Sequence, residues 1–312
     1  GHKVHQAPAE EKQKVSAEAR AAARQMARAA LAKRLEEISM HPGQSAVYDR
    51  ILGNVQHEIS QLRTVLQSVH ASARERTWMR QQITGELDDS RLVEGLAGEK
   101  AVFKRRAEDP PPPGAPQQKP KRLHFALDVS ASMYRFNGVD RRLERMTQLA
   151  VLVMEALQGF EHKYEYCMMG HSGDGLVSLV KFGQPPANRK ERIQVLELLV
   201  AHSQYCMSGD STLRAAQQSI QDVLATPGDD YFSFLVSDAN LGQYNITPAS
   251  LAGALAADKR VNAHAVLLCD NEDAQEFAEN MPSGTAHVIS EPSQLPLIFQ
   301  RIFTSAVLKA KM

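Results

Sequence analysis

Leu123-His124-Phe125-Ala126-Leu127-Asp128-Val129-Ser130-Ala131-Ser132 is the stretch from which the rest of the chain is read. Residues 123–128 form a strand of the buried type, apolar almost throughout, as strands covered on both faces are. The strand runs straight into Asp128, Ser130 and Ser132, which stand at alternate positions. Alternate residues of extended chain point the same way, so one carboxylate and two hydroxyls can converge on a point. Hard oxygens in that arrangement suit a small hard cation such as Mg²⁺, with Mn²⁺ as a substitute. Alone, the pattern has little specificity, because Asp and Ser are common in turns.

Outward from this stretch, strands and helices alternate. A helix over 140–158 carries Met146, Leu149, Val153 and Leu157 on one face. Strands follow at Tyr164–Gly170 and Val177–Phe182, then helices over 188–201 and 212–224. Tyr231–Ser237 is a strand, and Pro248 opens a helix at its first turn. Strands at Ala263–Cys269 and Ala286–Ile289 and helices at Glu272–Asn280 and 293–308 complete the pattern. Such alternation predicts an α/β fold, an open, mostly parallel Rossmann-like sheet with helices on both faces. Ligands of such sheets bind outside the carboxyl ends of the strands, where the strand order switches.

Two more segments end at that edge. Ser208-Gly209-Asp210-Ser211-Thr212 opens a helix and puts the Thr212 hydroxyl near its start, where a capping role is the ordinary alternative. Strand 231–237 ends in Asp238, whose ordinary role is a turn aspartate. Together the three segments offer two carboxylates and three hydroxyls.

Upstream, residues 10–40 read as an amphipathic helix, broken at His41-Pro42-Gly43. A second helix carries Ile51, Val55, Ile59, Leu62, Leu66 and Val69 at near-heptad spacing. The two suggest a helical hairpin over 1–76, a helical N-terminal extension. A mixed segment spans 77–109. Pro110 to Gly114 begins a stiff linker over 110–121, read as a spacer or as a ligand for a proline-reading domain. The sheet domain is expected over 122–312. Residues 1–122 carry a net charge of +6 and residues 123–312 of −6, within a chain of 36 basic and 36 acidic side chains. A basic part can contact nucleic acid, but this one lacks interleaved aromatics for stacking bases, and complementarity between the parts is the alternative.

Composition excludes several classes. Hydrophobic residues at 43% and charged ones at 23% are those of a globular protein. The longest nearly unbroken apolar run, Leu149 to Leu157, is interrupted by Glu155, far short of the ~18 residues of a bilayer span. Cys167, Cys206 and Cys269 cannot all pair, which points to a reducing compartment. The chain begins at Gly1 and reads as a piece of something longer, so a targeting peptide upstream is not excluded.

The set Asp128, Ser130, Ser132, Thr212 and Asp238 resembles the metal-ion-dependent adhesion site (MIDAS) of von Willebrand factor A domains, over about residues 120–310. The resemblance implies that Ser130, Ser132 and, in one state, Thr212 contact the metal. It implies that Asp128 and Asp238 do so directly or through water, and that an acidic side chain of a protein partner completes the shell. Gly85 to Asp88, Glu99 to Arg106, the proline run, Met133 to Gly138, Gly170 to Gly175, Cys206 to Asp210 and Ser237 to Asn240 resemble one intracellular branch of the family. There the domain ends a large AAA+ ATPase associated with mitochondria. That implies an intracellular, mitochondrial location, an ATP-binding motor upstream of this chain, and a client or the ATPase ring itself as partner. Basic helices followed by an A domain also resemble metal-chelatase subunits. Asp210 and Ser211 depart from the family, standing where many A domains have glycines.

Enzyme readings are the alternative. Gly170-His171-Ser172-Gly173-Asp174 nearly spells a nucleophile elbow around Ser172, but Asp174 fills a position that needs a small residue, and a strand rather than a helix follows. Phosphatase-like use of Asp128 wants a second acid two positions on, where Ser130 stands. His171 and Asp174, like Asp210 and Asn240, are candidates for supporting the site or touching a partner; a plain turn between strands is the other reading of the first two. No P-loop motif occurs, so ATP is expected only in an upstream part of the parent protein. The cysteines and histidines lack zinc-ligand spacing.

Overall fold

The structure, a computed structural model of the chain, describes residues 41–73, 77–82, 86–87, 101, 103–107, 119–206, 209–238, 240–268 and 272–309, with isolated positions 22, 25 and 26. Helix α1 (Pro42–Ala73) starts on a proline, whose missing N–H costs nothing in a first turn. Strands β1 (Thr77–Gln82), β2 (Glu86–Leu87) and β3 (Phe103–Ala107) form a small antiparallel sheet in the order β1-β3-β2. Strand β4 (Lys121–Asp128) then enters the main sheet, followed by short helices α2 (Ala131–Arg135) and α3 (Asn137–Asp140) and the long α4 (Arg142–Leu157). Next come β5 (Tyr164–Ser172), β6 (Gly175–Val180), α5 (Arg189–Tyr205) and α6 (Thr212–Leu224). The chain continues through β7 (Tyr231–Ser237), α7 (Pro248–Leu255), β8 (Val261–Leu267), α8 (Glu272–Glu279), β9 (Ala286–Val288) and α9 (Leu295–Lys309).

The main sheet has the order β6-β5-β4-β7-β8-β9, parallel except for β6. From β4 the chain winds outward to β5 and β6, returns to β7 beside β4, and winds the other way. The switch therefore lies between β4 and β7, and their carboxyl ends frame the crevice where such sheets take ligands. Asp128 ends β4 and Asp238 follows β7.

The period of two along each strand separates two cores. Leu123, Phe125 and Leu127, with Phe232, Phe234 and Val236, face α4, α9 and α1. Phe234 stacks on Phe125 at 5.1 Å and meets Phe299 of α9 at 4.6 Å. Each such ring contributes on the order of 1.5–3 kcal/mol by burial. Ala126, Leu235, Ala265 and Leu267 face the other way, against Ala215, Ala216, Ile220 and Val223 of α6 and Leu251 and Leu255 of α7. The α1 stripe of Tyr48, Val55, Ile59, Leu62 and Leu66 continues the first core rather than forming one of its own. Polar contacts fasten it there: Tyr48 Oη donates to Glu155 of α4 at 2.6 Å, and Arg63 Nη1 donates to the Glu155 and Gln158 carbonyls, both at 2.9 Å.

Several expected elements differ in extent. The helix expected from 140 begins at Arg142, because Arg141 takes a left-handed conformation (φ 56°) that turns the chain between α3 and α4. Strand β5 runs on to Ser172 and β6 starts at Gly175, closing a tight antiparallel turn. Helix α5 extends to Tyr205, with Asn188 accepting from the Glu191 N–H as its cap. Helix α7 starts as expected on Pro248, inside a capping box made by Thr247 and Ser250. Of the helix expected over 10–40 only positions 22, 25 and 26 are described, and they are helical; the rest of it, and with it the hairpin, lies outside the described residues, as do the proline run, Ser208 and Cys269.

Candidate metal centre

Asp128 is fixed before any ligand arrives. Its Oδ1 accepts from the Ser130 N–H at 2.9 Å, a turn closed by the aspartate itself, and its Oδ2 accepts from Ser237 Oγ at 3.2 Å. The Val129 N–H bonds the His171 carbonyl at 3.0 Å, extending the β4–β5 ladder past the strand. The hydroxyls then form a chain across the switch point: Ser130 Oγ and Ser132 Oγ are 2.9 Å apart, and Ser132 Oγ donates to Asp238 Oδ2 at 2.7 Å. Asp128, Ser130 and Asp238 are each no more than 5% exposed, and Ser132 is half-buried. Four of the five expected ligands are thus brought together.

Thr212 stands at the start of a helix, where the sequence puts it. It is the first residue of α6 and fully buried, but its Oγ1 donates to Asp210 Oδ1 at 2.5 Å. It is not the cap. Ser211 is the N-cap and makes no side-chain cap bond; Asp210 before it accepts the Thr212 N–H on Oδ2 at 2.9 Å and so meets the first helical donor. This loop is pressed against the β5–β6 turn: a Cβ on Gly209 would stand 2.9 Å from the Gly173 Cα. Burial raises the Tyr244 phenol, and the charges of Asp210, Asp238 and Asp128 raise it further, so all three carboxylates lie within electrostatic reach of one ring.

Burial likewise pushes the Asp128 carboxyl above the ordinary carboxylate range. His171 opposes that shift, Asp238 adds to it, and the Ser130 hydrogen bonds oppose it. Two buried carboxylates beside each other want a positive charge between them, and neutral hydroxyls complete a hard-oxygen set. The residues present therefore fit a small divalent cation. Among the described residues there is no group of three or more His, Cys, Asp or Glu placed to hold a metal, and the candidate set relies on hydroxyls beside its two carboxylates. His171 pairs with Asp128 across β4 and β5, fully buried, with neither ring nitrogen hydrogen-bonded. Asp174 is exposed at the tip of the turn, and its N–H donates to Ser172 Oγ at 3.2 Å. Asn240 opens a 3₁₀ turn over Asn240–Tyr244, and its side chain lies outside the described residues.

The structure adds three residues that the spacing did not indicate. Ser237 orients Asp128. Arg142 Nη1 donates to Asp238 Oδ2 at 2.6 Å, and Asp140 holds Arg142 in turn. Burial works against the Arg142 charge, but its bonds to Asp140 and the charge of Asp238 outweigh that and raise the guanidinium above its ordinary value. Arg142 and Asp238 lie 96 residues apart, so only the switch in strand order brings them together. Ser172 Oγ lies 2.8 Å from His202 Nε2, the spacing of a nucleophile and its base, yet Ser172 is fully buried and has no route to a substrate carbon.

No family model matches the chain. A protein of Mus musculus, von Willebrand factor A domain-containing protein 8, is 44% identical over 312 residues, 99% of this chain and 16% of its own length. Solved structures with similar folds include a von Willebrand factor type A protein from Catenulispora acidiphila, at 15% identity and TM-score 0.41, covering 61% of this chain and 43% of that one. Another is proximal thread matrix protein 1 from the mussel byssus with a zinc-occupied MIDAS motif, at 10% identity and TM-score 0.44, covering 61% and 48%. At these scores neither structure bears on the site. Among the described residues no helix is long and apolar enough to cross a membrane. The chain thus has a sheet of the von Willebrand A type and is similar, along 99% of its own length, to a part of that mouse protein.

Proposed function

We propose that this domain binds a protein partner through a divalent cation, Mg²⁺ or equivalently Mn²⁺, held by Asp128, Ser130, Ser132 and Asp238, with Thr212 joining in one state. The observation that supports this best is the connected donor set at the switch point: Ser130 to Ser132 to Asp238, beside a buried Asp128 held by Ser237. Asp128 and Asp238 supply the charge, and the serines supply neutral oxygens that add none. When bound, the cation offers a coordination position to an Asp or Glu side chain of the partner. Tyr134, Phe136 and Val139, on the segment that follows Ser132, are exposed.

The chain covers 16% of the mouse relative's length, so the activity of a whole protein is part of the proposal. We place this domain at the C-terminal end of a larger AAA+ ATPase, where the acidic side chain belongs to a client or to the ATPase ring. ATP hydrolysis is assigned to an upstream part, and a mitochondrial, intracellular setting follows from the family resemblance. Cys167 and Cys206 are free and buried, in keeping with a reducing compartment. The test is a Mn²⁺ titration of the chain and its Asp128→Ala variant, followed by the free-ion resonance signal. One site in the parent chain, lost in a variant that still melts cooperatively, is expected. Equal binding by both would remove the assignment.

A further inference from the structure

The candidate centre carries a cation of its own. Arg142 is the first residue of α4, and its guanidinium is held on two sides. Its Nε donates to both oxygens of Asp140 at 3.0 and 2.8 Å, and its Nη2 bonds Asp140 as well. Its Nη1 reaches Asp238 Oδ2 at 2.6 Å, the same oxygen that accepts from Ser132. Its backbone N–H also bonds Asp140 Oδ1, at 3.1 Å, and its guanidinium carbon lies 5.1 Å from the centre of the Phe136 ring. The side chain is 14% exposed, against 4% for Asp238. The left-handed Arg141 turn and the Asp140 fork together aim a permanent positive charge at one of the two carboxylates.

We infer that Arg142 sets the charge, and so the specificity, of this centre: it partly neutralises Asp238, trading affinity for the divalent cation against affinity for an anionic partner. The inference rests on the cation-site reading above. A carboxylate shared with a guanidinium holds a dication less tightly than a free one. Once the dication is bound, the same guanidinium leaves the centre one charge unit more positive toward an incoming Asp or Glu. Asp140 does not cancel this difference, because it is present with or without Arg142. A like charge this close to a dication is worth on the order of tenfold in affinity even at the dielectric constant of water.

The experiment uses the 312-residue chain as parent, Arg142→Gln and Arg142→Lys, with Asp128→Ala as the blank. Mn²⁺ alone is the probe, read by the free-ion resonance signal. Arg142→Gln should bind Mn²⁺ about tenfold more tightly than the parent. Arg142→Lys, which keeps the charge but not the fork, should stay within about threefold. Unchanged or weaker binding by Arg142→Gln, with Asp128→Ala still empty, overturns the inference and leaves the cation site standing: Arg142 is then a brace for Asp238. Absence of binding in every variant overturns both. Should Arg142→Gln fail to fold, the parent still decides the matter. Its Arg142 Nη1–H resonance should shift on Mg²⁺ addition as the Asp238 contact loosens, and a resonance that does not respond overturns the inference.

Discussion

Glu155 breaks the longest apolar run of the sequence, and the structure makes it the pin that holds α1, α4 and α5 together. Its Oε1 accepts from Tyr48 Oη at 2.6 Å and from Arg192 Nη1 at 2.5 Å. Burial and the Glu155 charge hold the Tyr48 phenol far above its ordinary value, so it stays a donor. Arg192 is 5% exposed on its side chain, and its Nε already lacks a partner. Replacing Glu155 by Ala leaves that guanidinium buried and uncompensated, which costs about 3–5 kcal/mol. Glu155 is itself 16% exposed, so water can enter, and the lower end, about 3 kcal/mol, is expected. For a unit of this size that is a drop of about 6–12 °C in Tm. Glu155→Gln keeps an acceptor for both donors and should cost only about 1–2 kcal/mol. The double variant Glu155→Leu with Arg192→Met, which removes both charges and fills the space, should recover most of the loss. Thermal and urea unfolding by circular dichroism reads all three. A loss under about 1 kcal/mol for Glu155→Ala, or a double variant no better than the single one, would refute the pinning role.

Three further outcomes are expected. Burial holds His124 below its ordinary value of 6.5, so as the pH falls through 6.5 the unfolded chain takes up a proton that the folded chain refuses, and stability declines from there downward. His287, also lowered by burial, acts in the same direction. Urea midpoints measured from neutral pH to about pH 5 should fall, and His124→Asn should flatten part of that slope; a flat profile for the parent would contradict it. Thr212→Ala loses the bond to Asp210 and should destabilise by about 1 kcal/mol, Thr212→Ser by less, and equal loss in both would show that the methyl group matters rather than the hydroxyl. If residues 110–121 are a spacer, limited proteolysis there should leave two pieces that co-elute on gel filtration, because the Tyr48–Leu66 stripe of α1 is buried in the core of the sheet domain; separation of the pieces would mean that α1 is only loosely docked.

The sheet was legible because its strands are buried on both faces: Phe232–Ser237 and Leu123–Asp128 are apolar runs with no competing helical period, and the first Asp follows directly. The convergence of Asp128, Ser130, Ser132 and Asp238 was legible for the same reason, since strand ends in such sheets share one edge. What was not legible depends on contacts distant in sequence or on single backbone angles. Arg141 moves the start of the helix expected from 140 to Arg142 by a positive φ that no propensity signals in an arginine. Ser211 rather than Thr212 is the N-cap, and Asp210 meets the first helical N–H because local backbone geometry, not residue type, decides which side chain reaches it. The small strands β1 and β3, rich in Arg and Gln, have no alternation of apolar residues to mark them. Arg142 reads as an ordinary helix-start charge until the fold brings Asp238 beside it.

The central claim is that the switch point between β4 and β7 holds a divalent cation. Crystals of the chain grown or soaked in Mn²⁺ and measured at a wavelength where manganese scatters anomalously test it most directly. One strong anomalous peak in direct contact with Ser130 Oγ and Ser132 Oγ, beside the carboxylates of Asp128 and Asp238, is the predicted result. Ordered side chains there with no peak between them, or a peak only elsewhere on the molecule, would contradict it.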